Sequence, residues 1–468
     1  MKSTAFRTDR ALLVCTVLAF ATGAHAADEK PTTAQDEQRK IAEAKPPDEK
    51  RKLPDYGNRG KDPTTFGDVA IWVPRIILSP IYLVTEYGIR WPLGHAIAAA
   101  ERADIPDLLY NFFFFGPNHS AGFAPVAFID FGFRPSVGLY MFWDDAFTKG
   151  NDLRFHGSTG GNNWFAGVLT DRIRLHKDQD LTLTLTGIER PDHAFFGIGP
   201  DTLQSDISRY AENQLEASAQ FDFPMWRSSH IQTGLGIRSI DFHRGHFGND
   251  PSIEQEAATG VYPLPDGFTQ GYTAQTSHVL VALDSRRPAP ADGSGVRIEA
   301  EAEEGSDVRR SPGASWLRYG GTAGAFWDLN GRNRVVSLSL ATLFADPLQK
   351  GQPVPFTELV TLGGPGPMRG FFPGRLRGRS AEVLTAKYRW PIWVWLDGSL
   401  QAAVGNVFDE HLEGFEAKRF RFSGALGIES VGSRDSSVEL LVGMGTETFD
   451  HGAQVDSVRV LIGSNRGF

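Results

Sequence analysis

Cysteine is almost absent from this chain: of 468 residues only Cys15 is one. It lies in an N-terminal apolar run, and Val14 before it is not the small residue that a lipid-attachment site needs. Beyond residue 26 there is no thiol, which excludes disulfides and cysteine-bound metals and suits an exported protein. Long hydrophobic runs are missing too. No stretch of about 18 uncharged apolar residues follows residue 26, so a spanning helix is excluded. A chain of this kind can cross a membrane only as a closed barrel. Catalytic patterns are also lacking: there is no nucleophile elbow, no His-Glu-x-x-His and no phosphate loop. No serine and histidine pair on an outward face near a rim, as a membrane phospholipase would require. His278, on an inward-facing position, reads as a solvated polar filler and not as a base. The expectation is a protein that is not an enzyme, with no cofactor, no metal site and no nucleic-acid partner.

Glycine and aromatics are plentiful, with 51 glycines and 11% Phe, Trp and Tyr. That composition and length suit one large all-β domain with a small extra segment. Residues 1–26 read as a signal peptide: Lys2, Arg7 and Arg10, an apolar run from Ala11 to Ala21, then Ala24-His25-Ala26 as the cleavage site. Its removal takes three basic residues and Asp9, moving the net charge from −9 to −11. Residues 27–62 are rich in Pro, Lys, Asp and Glu and too poor in apolar side chains to order themselves, so they read as a disordered periplasmic tail. Residues 63–110 form a helical periplasmic or interfacial segment. Within it, Ser79-Pro80 and Trp91-Pro92 place prolines at helix starts, and Arg75, Glu86, Arg90 and His95 exclude a spanning helix. A lid on the periplasmic rim, an interfacial helix and a plug in the lumen all remain open.

Residues 111–468 change to a period of two. Leu181 to Thr186 alternates strictly. Leu215, Ala217, Ala219, Phe221 and Phe223 oppose Glu212, Gln214, Glu216, Ser218, Gln220 and Asp222; Val296, Ile298, Ala300 and Ala302 oppose Arg297, Glu299, Glu301 and Glu303. Such alternation suits a soluble sandwich as well as a membrane barrel. The leader, the lack of a helical covering layer, aromatics at segment ends (Phe112 to Phe115, Trp390, Trp393, Trp395) and Phe468 favour a single transmembrane antiparallel β-barrel. About sixteen segments are expected, from 121–132 to 456–468. Gly160-Gly161-Asn162 is either a hairpin turn or a bulge in one long strand. Short turns such as 149–152 and 330–333 alternate with longer loops, notably 244–271 and 347–379, and this sidedness is that of an outer-membrane barrel.

One loop carries a more specific signal. Leu362-Gly363-Gly364-Pro365-Gly366-Pro367-Met368-Arg369-Gly370-Phe371-Phe372-Pro373-Gly374-Arg375 cannot continue a strand. Its Met368-Arg369-Gly370-Phe371 resembles the Val-Arg-Gly-Phe/Tyr tip of the inward-folded loop in the outer-membrane assembly and translocation superfamily. That group includes BamA, TamA and the two-partner secretion transporters, the bacterial surface antigen barrels. Phe195-Phe196-Gly197-Ile198-Gly199-Pro200 is similar to a Tyr-Tyr-Gly-x-Gly of the same family. The resemblance implies a loop that enters the lumen with its arginine held against the inner wall. It also implies a bacterial outer-membrane location, lipid and lipopolysaccharide contacts, and a role in inserting or translocating protein or lipid. The family's periplasmic POTRA repeats find no room here, so a periplasmic or membrane protein partner would supply that part.

The sequence departs from the family at the arginine's partners. Lys387 and Ala403 stand at the positions where acids are common, and neither can pair with Arg369. Inward parity on later strands offers Glu429 and Glu439 as candidate partners, with Glu447 further along. Arg375, Arg377 and Arg379 are expected in the water of the outer mouth, because each buried guanidinium would need an acid. In the last strand Val458, Val460 and Ile462 share a face with Phe468. Ser464, Arg466 and Gly467 interrupt that series, which suits either an opening seam between first and last strands or an imperfect assembly signal. Two alternatives to insertion stay open: a plugged structural or surface-binding barrel displaying loop 244–271, and a passive channel.

Overall fold

The computed structural model describes residues 112–465 apart from 177–178, 288–292, 394–395 and 431–436, together with eight isolated positions from Val69 to His95. The leader, the 27–62 tail, Pro80, Pro92 and Phe468 lie outside the described residues, as does the pattern at Arg466 and Gly467. Among the described residues no helix is long and apolar enough to cross a membrane. The spanning elements are strands.

Strand β1 spans Ala121–Asp130, β2 Ser136–Trp143, β3 Asn151–Thr159, β4 Phe165–His176, β5 Gln179–Phe195, β6 Ser208–Pro224, β7 His230–Arg244 and β8 Tyr272–Asp284. The second half continues with β9 Gly295–Asp307, β10 Ser315–Asp328, β11 Val335–Pro347, β12 Ser380–Trp393, β13 Leu396–Phe408, β14 Arg421–Ser430, β15 Ser437–Thr446 and β16 Val455–Asn465. Each pairs antiparallel with its sequence neighbour, and β16 returns to β1, so the sheet closes as a 16-strand barrel. The period-two pattern explains the closure. Val137, Leu139, Met141 and Trp143 on β2, Val296 and Ile298 on β9, and Val438, Leu440, Val442 and Met444 on β15 all project outward and stay exposed. Their polar neighbours point into the lumen, the arrangement of a lipid-facing band around a polar interior. Gly160 and Gly161 form a hairpin: Gly160 N donates to Trp164 O at 3.2 Å, and Gly161 has φ +103°, a conformation that glycine adopts without strain.

Closure is uneven. Among the described residues the ladder from β16 to β1 has three register positions, Leu461 with Asp130, Ile462 with Ile129 and Gly463 with Phe128, although β16 continues to Asn465. One further bond, Phe131 N to Val460 O at 3.0 Å, extends it outward. Pro125, in the middle of β1, has no N–H to donate; proline is tolerated at a sheet edge and not inside a continuous ladder. At the start of β1, a short strand Phe114–Phe115 pairs with Gly122 and Ala121. Phe112, Phe113 and Phe115 gather there around Phe123.

The outer end is covered. The long loop after β7 carries helix α1, Ile253–Thr259, started by a capping box in which Ser252 N donates to Gln255 Oε1 at 2.8 Å. With the loop after β11 it closes an apolar core containing Phe195, Tyr210, Phe242, Phe268, Tyr272 and Phe356. Below it, Glu358 is buried, accepts a bond from Arg238 Nη1 at 2.9 Å and contacts the Tyr272 hydroxyl.

Candidate functional site

The loop between β11 and β12 is built as a stem and a tip. Val360–Leu362 and Leu376–Gly378 pair as a two-stranded stem, register Thr361 with Arg377. The Gly/Pro composition makes the tip: Gly363, Gly364 and Gly374 have φ of +99°, +68° and +73°. Met368 is also left-handed, at φ +64°, which turns the chain so that Phe371 N donates to Met368 O at 3.0 Å. Leu362, Met368, Phe371 and Leu376 bury against small inward residues of β11 to β13: Ala345, Ala381, Val383, Ala403 and Val407. Ala403, where the family commonly has an acid, is part of this apolar seat.

The tip meets β15 backbone to backbone. A Cβ on Gly370 would stand 1.9 Å from Met444 O, and one on Gly443 would stand 2.8 Å from the Gly370 Cα. Gly445 leaves room for the Phe371 ring in the same way. Ser423 Oγ accepts from Gly370 N at 2.9 Å, and Ser457 Oγ donates to Gly370 O at 3.3 Å, so β14 and β16 also hold the tip. The structure brings Arg369 to Glu439, the Nη2 donating to Oε1, and both side chains are nearly buried. Glu429 faces Glu439 across the β14–β15 register but is taken by Lys387, whose Nζ lies 3.4 Å away. The lysine at the family's acid position thus neutralises one carboxylate of this pair, and Arg369 the other. Glu447 pairs with Arg421, 3.0 Å away.

The expectation that Arg375, Arg377 and Arg379 stand in the outer water is corrected for two of the three. Arg375 is 0% exposed and Arg377 4%, whereas the Arg379 side chain is 28% exposed, bridging Asp346 and Glu410 at the rim. Carbonyls, an amide, a hydroxyl and rings offset the desolvation beside a single carboxylate. Arg375 donates to Gln204 Oε1, Thr202 Oγ1 and Thr202 O, each at 2.9 Å, and to Asp456 Oδ2 at 3.4 Å. Its guanidinium lies over Phe196, 5.1 Å from the ring centre. Burial, with Arg421 beside it, pulls the Arg375 pKa down to about 10. Arg377 donates to Phe356 O at 2.6 Å and lies between Phe195 and Phe356. Gly199 N donates to Arg377 O at 2.8 Å. The Phe195–Pro200 motif and the Met368–Phe371 loop therefore belong to one assembly.

Sequence reasoning assigned no role to Arg459 and Asp130. Arg459 on β16 makes a buried two-armed ion pair with Asp130 on β1, with Nη2 to Oδ2 at 2.8 Å and Nε to Oδ1 at 3.1 Å. Its remaining nitrogen, Nη1, donates to Gly364 O at 2.7 Å and Arg369 O at 3.3 Å. One guanidinium joins the last strand, the first strand and the loop tip, beside the three-position ladder. The signal was a charge inside Val458-Arg459-Val460-Leu461-Ile462, on inward parity, and an opposite charge at the end of β1. Between the loop and the β1–β7 wall a cavity of about 510 Å³ remains, lined by Asp130, Arg190, Glu212, Glu216, Arg238 and Arg459 among others. Asp346, Glu410 and His411 cluster at the outer rim. Arg379 and the Tyr319 hydroxyl already occupy their carboxylates.

These features define a transmembrane β-barrel with a loop folded into its lumen and a short closing seam. Residues 145–430 match the Omp85 superfamily domain, more than half of the chain, and the chain belongs to that superfamily. Among solved structures it is similar to BamA from Haemophilus ducreyi lacking POTRA domains 1-3, at 13% identity and TM-score 0.52, over 74% of this chain and 70% of that one. CdiB from Acinetobacter baumannii is 12% identical with TM-score 0.46, over 74% and 60% of the two chains. At 13% identity the likeness to BamA speaks for the fold alone. No curated protein matches the chain.

The Arg369–Glu439 pair should be measurable by a double-mutant cycle. Arg369→Ala and Glu439→Gln are each expected to destabilise the folded barrel, by about 3 kcal/mol. Together they should cost less than their sum, since the second change removes a charge already unpaired. Arg369→Ala with Glu429→Gln should be additive. The readout is the temperature at which gel mobility shifts from folded to unfolded.

Proposed function

We propose that this protein is an outer-membrane barrel that helps insert or translocate protein or lipid, and that the β16–β1 seam is the working part. The observation that carries the reading is the seam's three-position ladder in a barrel otherwise paired along its strands. An unpaired strand edge is a template for another strand. In this reading the Met368-Arg369-Gly370-Phe371 tip, held by Glu439, acts as a brace behind the seam, and Arg459 is the clasp between them. The barrel would work in contact with outer-membrane lipid and lipopolysaccharide, with a periplasmic or membrane protein partner delivering the cargo. No catalytic step is involved.

The covered outer end favours a second reading, a plugged barrel that presents the α1 loop at the cell surface. Reconstitution separates the two. Proteoliposomes carrying the protein should accelerate insertion of an unfolded outer-membrane barrel, scored by protease protection, over liposomes carrying an unrelated barrel of similar size. Equal rates in the two preparations would favour the plugged barrel. A large, steady conductance in a planar bilayer would instead mark a passive channel.

A further inference from the structure

Eight positions ahead of the barrel have helical backbone: Val69, Trp72, Ile76, Ser79, Leu83, Tyr87, Trp91 and His95. They are three or four residues apart, the spacing at which the side chains of helical residues fall on one side. Six of them are large apolar or aromatic residues, and each is more than half exposed, from 54% at Leu83 to 69% at Ile76. The barrel does not cover this face. The two polar members turn back onto the carbonyls of Ile76 and Trp91. Ser79 Oγ donates to Ile76 O at 3.0 Å, and His95 Nδ1 bonds Trp91 O at 2.8 Å with the two rings 4.3 Å apart. The face therefore presents little unsatisfied polarity to whatever it meets.

We propose that this face lies on the bilayer surface, on the phospholipid leaflet at the barrel's short-turn end. The proposal does not depend on the seam or on insertion. Three observations select lipid as the occupant. Residues 96–111 tether His95 to Phe112, and seventeen Cα steps reach at most about 60 Å, so the leaflet beside the barrel is within reach of these positions. The exposed aromatic surface continues on the barrel side of that tether, with Phe112 and Phe115 exposed at the start of β1 and Trp143 and Phe147 at the same end. Trp72, Tyr87 and Trp91 are the side chains that settle at headgroup level, apolar in body and polar at the tip. Between residues 69 and 95 the charges are Arg75, Arg90 and Glu86, apart from His95, so attachment needs no anionic lipid.

Full-length protein with Cys15→Ser, carrying a single nitroxide at Ile76→Cys or Leu83→Cys, tests this in phosphatidylcholine proteoliposomes. Labels at Val296→Cys, on the lipid face of β9, and Lys350→Cys, in an outer loop, are the references. The Ile76 and Leu83 labels should match Val296, with high accessibility to oxygen and low accessibility to a nickel chelate, unchanged in 1 M salt. Nickel accessibility like that of Lys350 would overturn the proposal. So would shielding from both reagents, which would mean that a second copy or another protein covers the face.

Discussion

Arg459→Ala is expected to destabilise the folded barrel by about 3–5 kcal/mol, the cost of leaving a buried ion-pair partner alone. Three groups lose their donor at once: the Asp130 carboxylate and the carbonyls of Gly364 and Arg369. The loss should be concentrated at the seam, because the three-position ladder offers little else to hold β16 against β1. Replacing the pair by apolar residues, Arg459→Met with Asp130→Leu, should recover much of the stability, since no buried charge is then uncompensated. Arg172→Ala is the control. Arg172 pairs with Asp180 but is half exposed, and its loss should cost less than about 1 kcal/mol. The check is the mobility-shift temperature of each variant. An Arg459→Ala barrel as heat-resistant as the parent would mean that the ion pair does not hold the seam.

Gly370→Val should expel the loop tip. The new Cβ would meet Met444 O at 1.9 Å and the Met444 carbonyl carbon at 2.4 Å, and both are strand backbone that cannot give way. Lifting the tip breaks the bonds to Ser423 and Ser457 and separates Arg369 from Glu439. Trypsin added outside intact cells should then cut between residues 369 and 375, where the parent resists. Gly443→Val, approaching the same contact from the wall, should give the same cleavage. Gly187→Ala, with nothing within 4 Å of the added carbon, should not. Resistance of Gly370→Val to trypsin would show that the tip tolerates displacement without leaving the lumen.

The strands were legible because alternation is local, and the leader, the aromatics at segment ends and Phe468 favoured a membrane barrel over a sandwich. The glycines at 160–161 and 363–364 likewise mark their turns directly. What the sequence could not show is which strands meet across the lumen. Arg459 and Asp130 are 329 residues apart and become neighbours only when the sheet closes. Arg369 could be matched to an inward acid by parity, but parity did not choose between Glu429 and Glu439. Lys387, noted only as unable to serve, decides it by occupying Glu429. Arg375 lies deeper than a count of acids predicts because three of its four bonds go to Thr202 and Gln204, a carbonyl and uncharged side chains in a distant loop, beside the one carboxylate of Asp456. In each case the missing information was tertiary register.

The most direct test of the seam's role is to lock it. Ile129 and Ile462 lie opposite each other across the ladder and both are exposed on the outer face, so Ile129→Cys with Ile462→Cys places two thiols within reach of a disulfide. In proteoliposomes the oxidised double variant should lose its acceleration of barrel insertion and regain it on reduction, while each single variant stays active throughout. Full activity in the oxidised, cross-linked form would contradict a working seam.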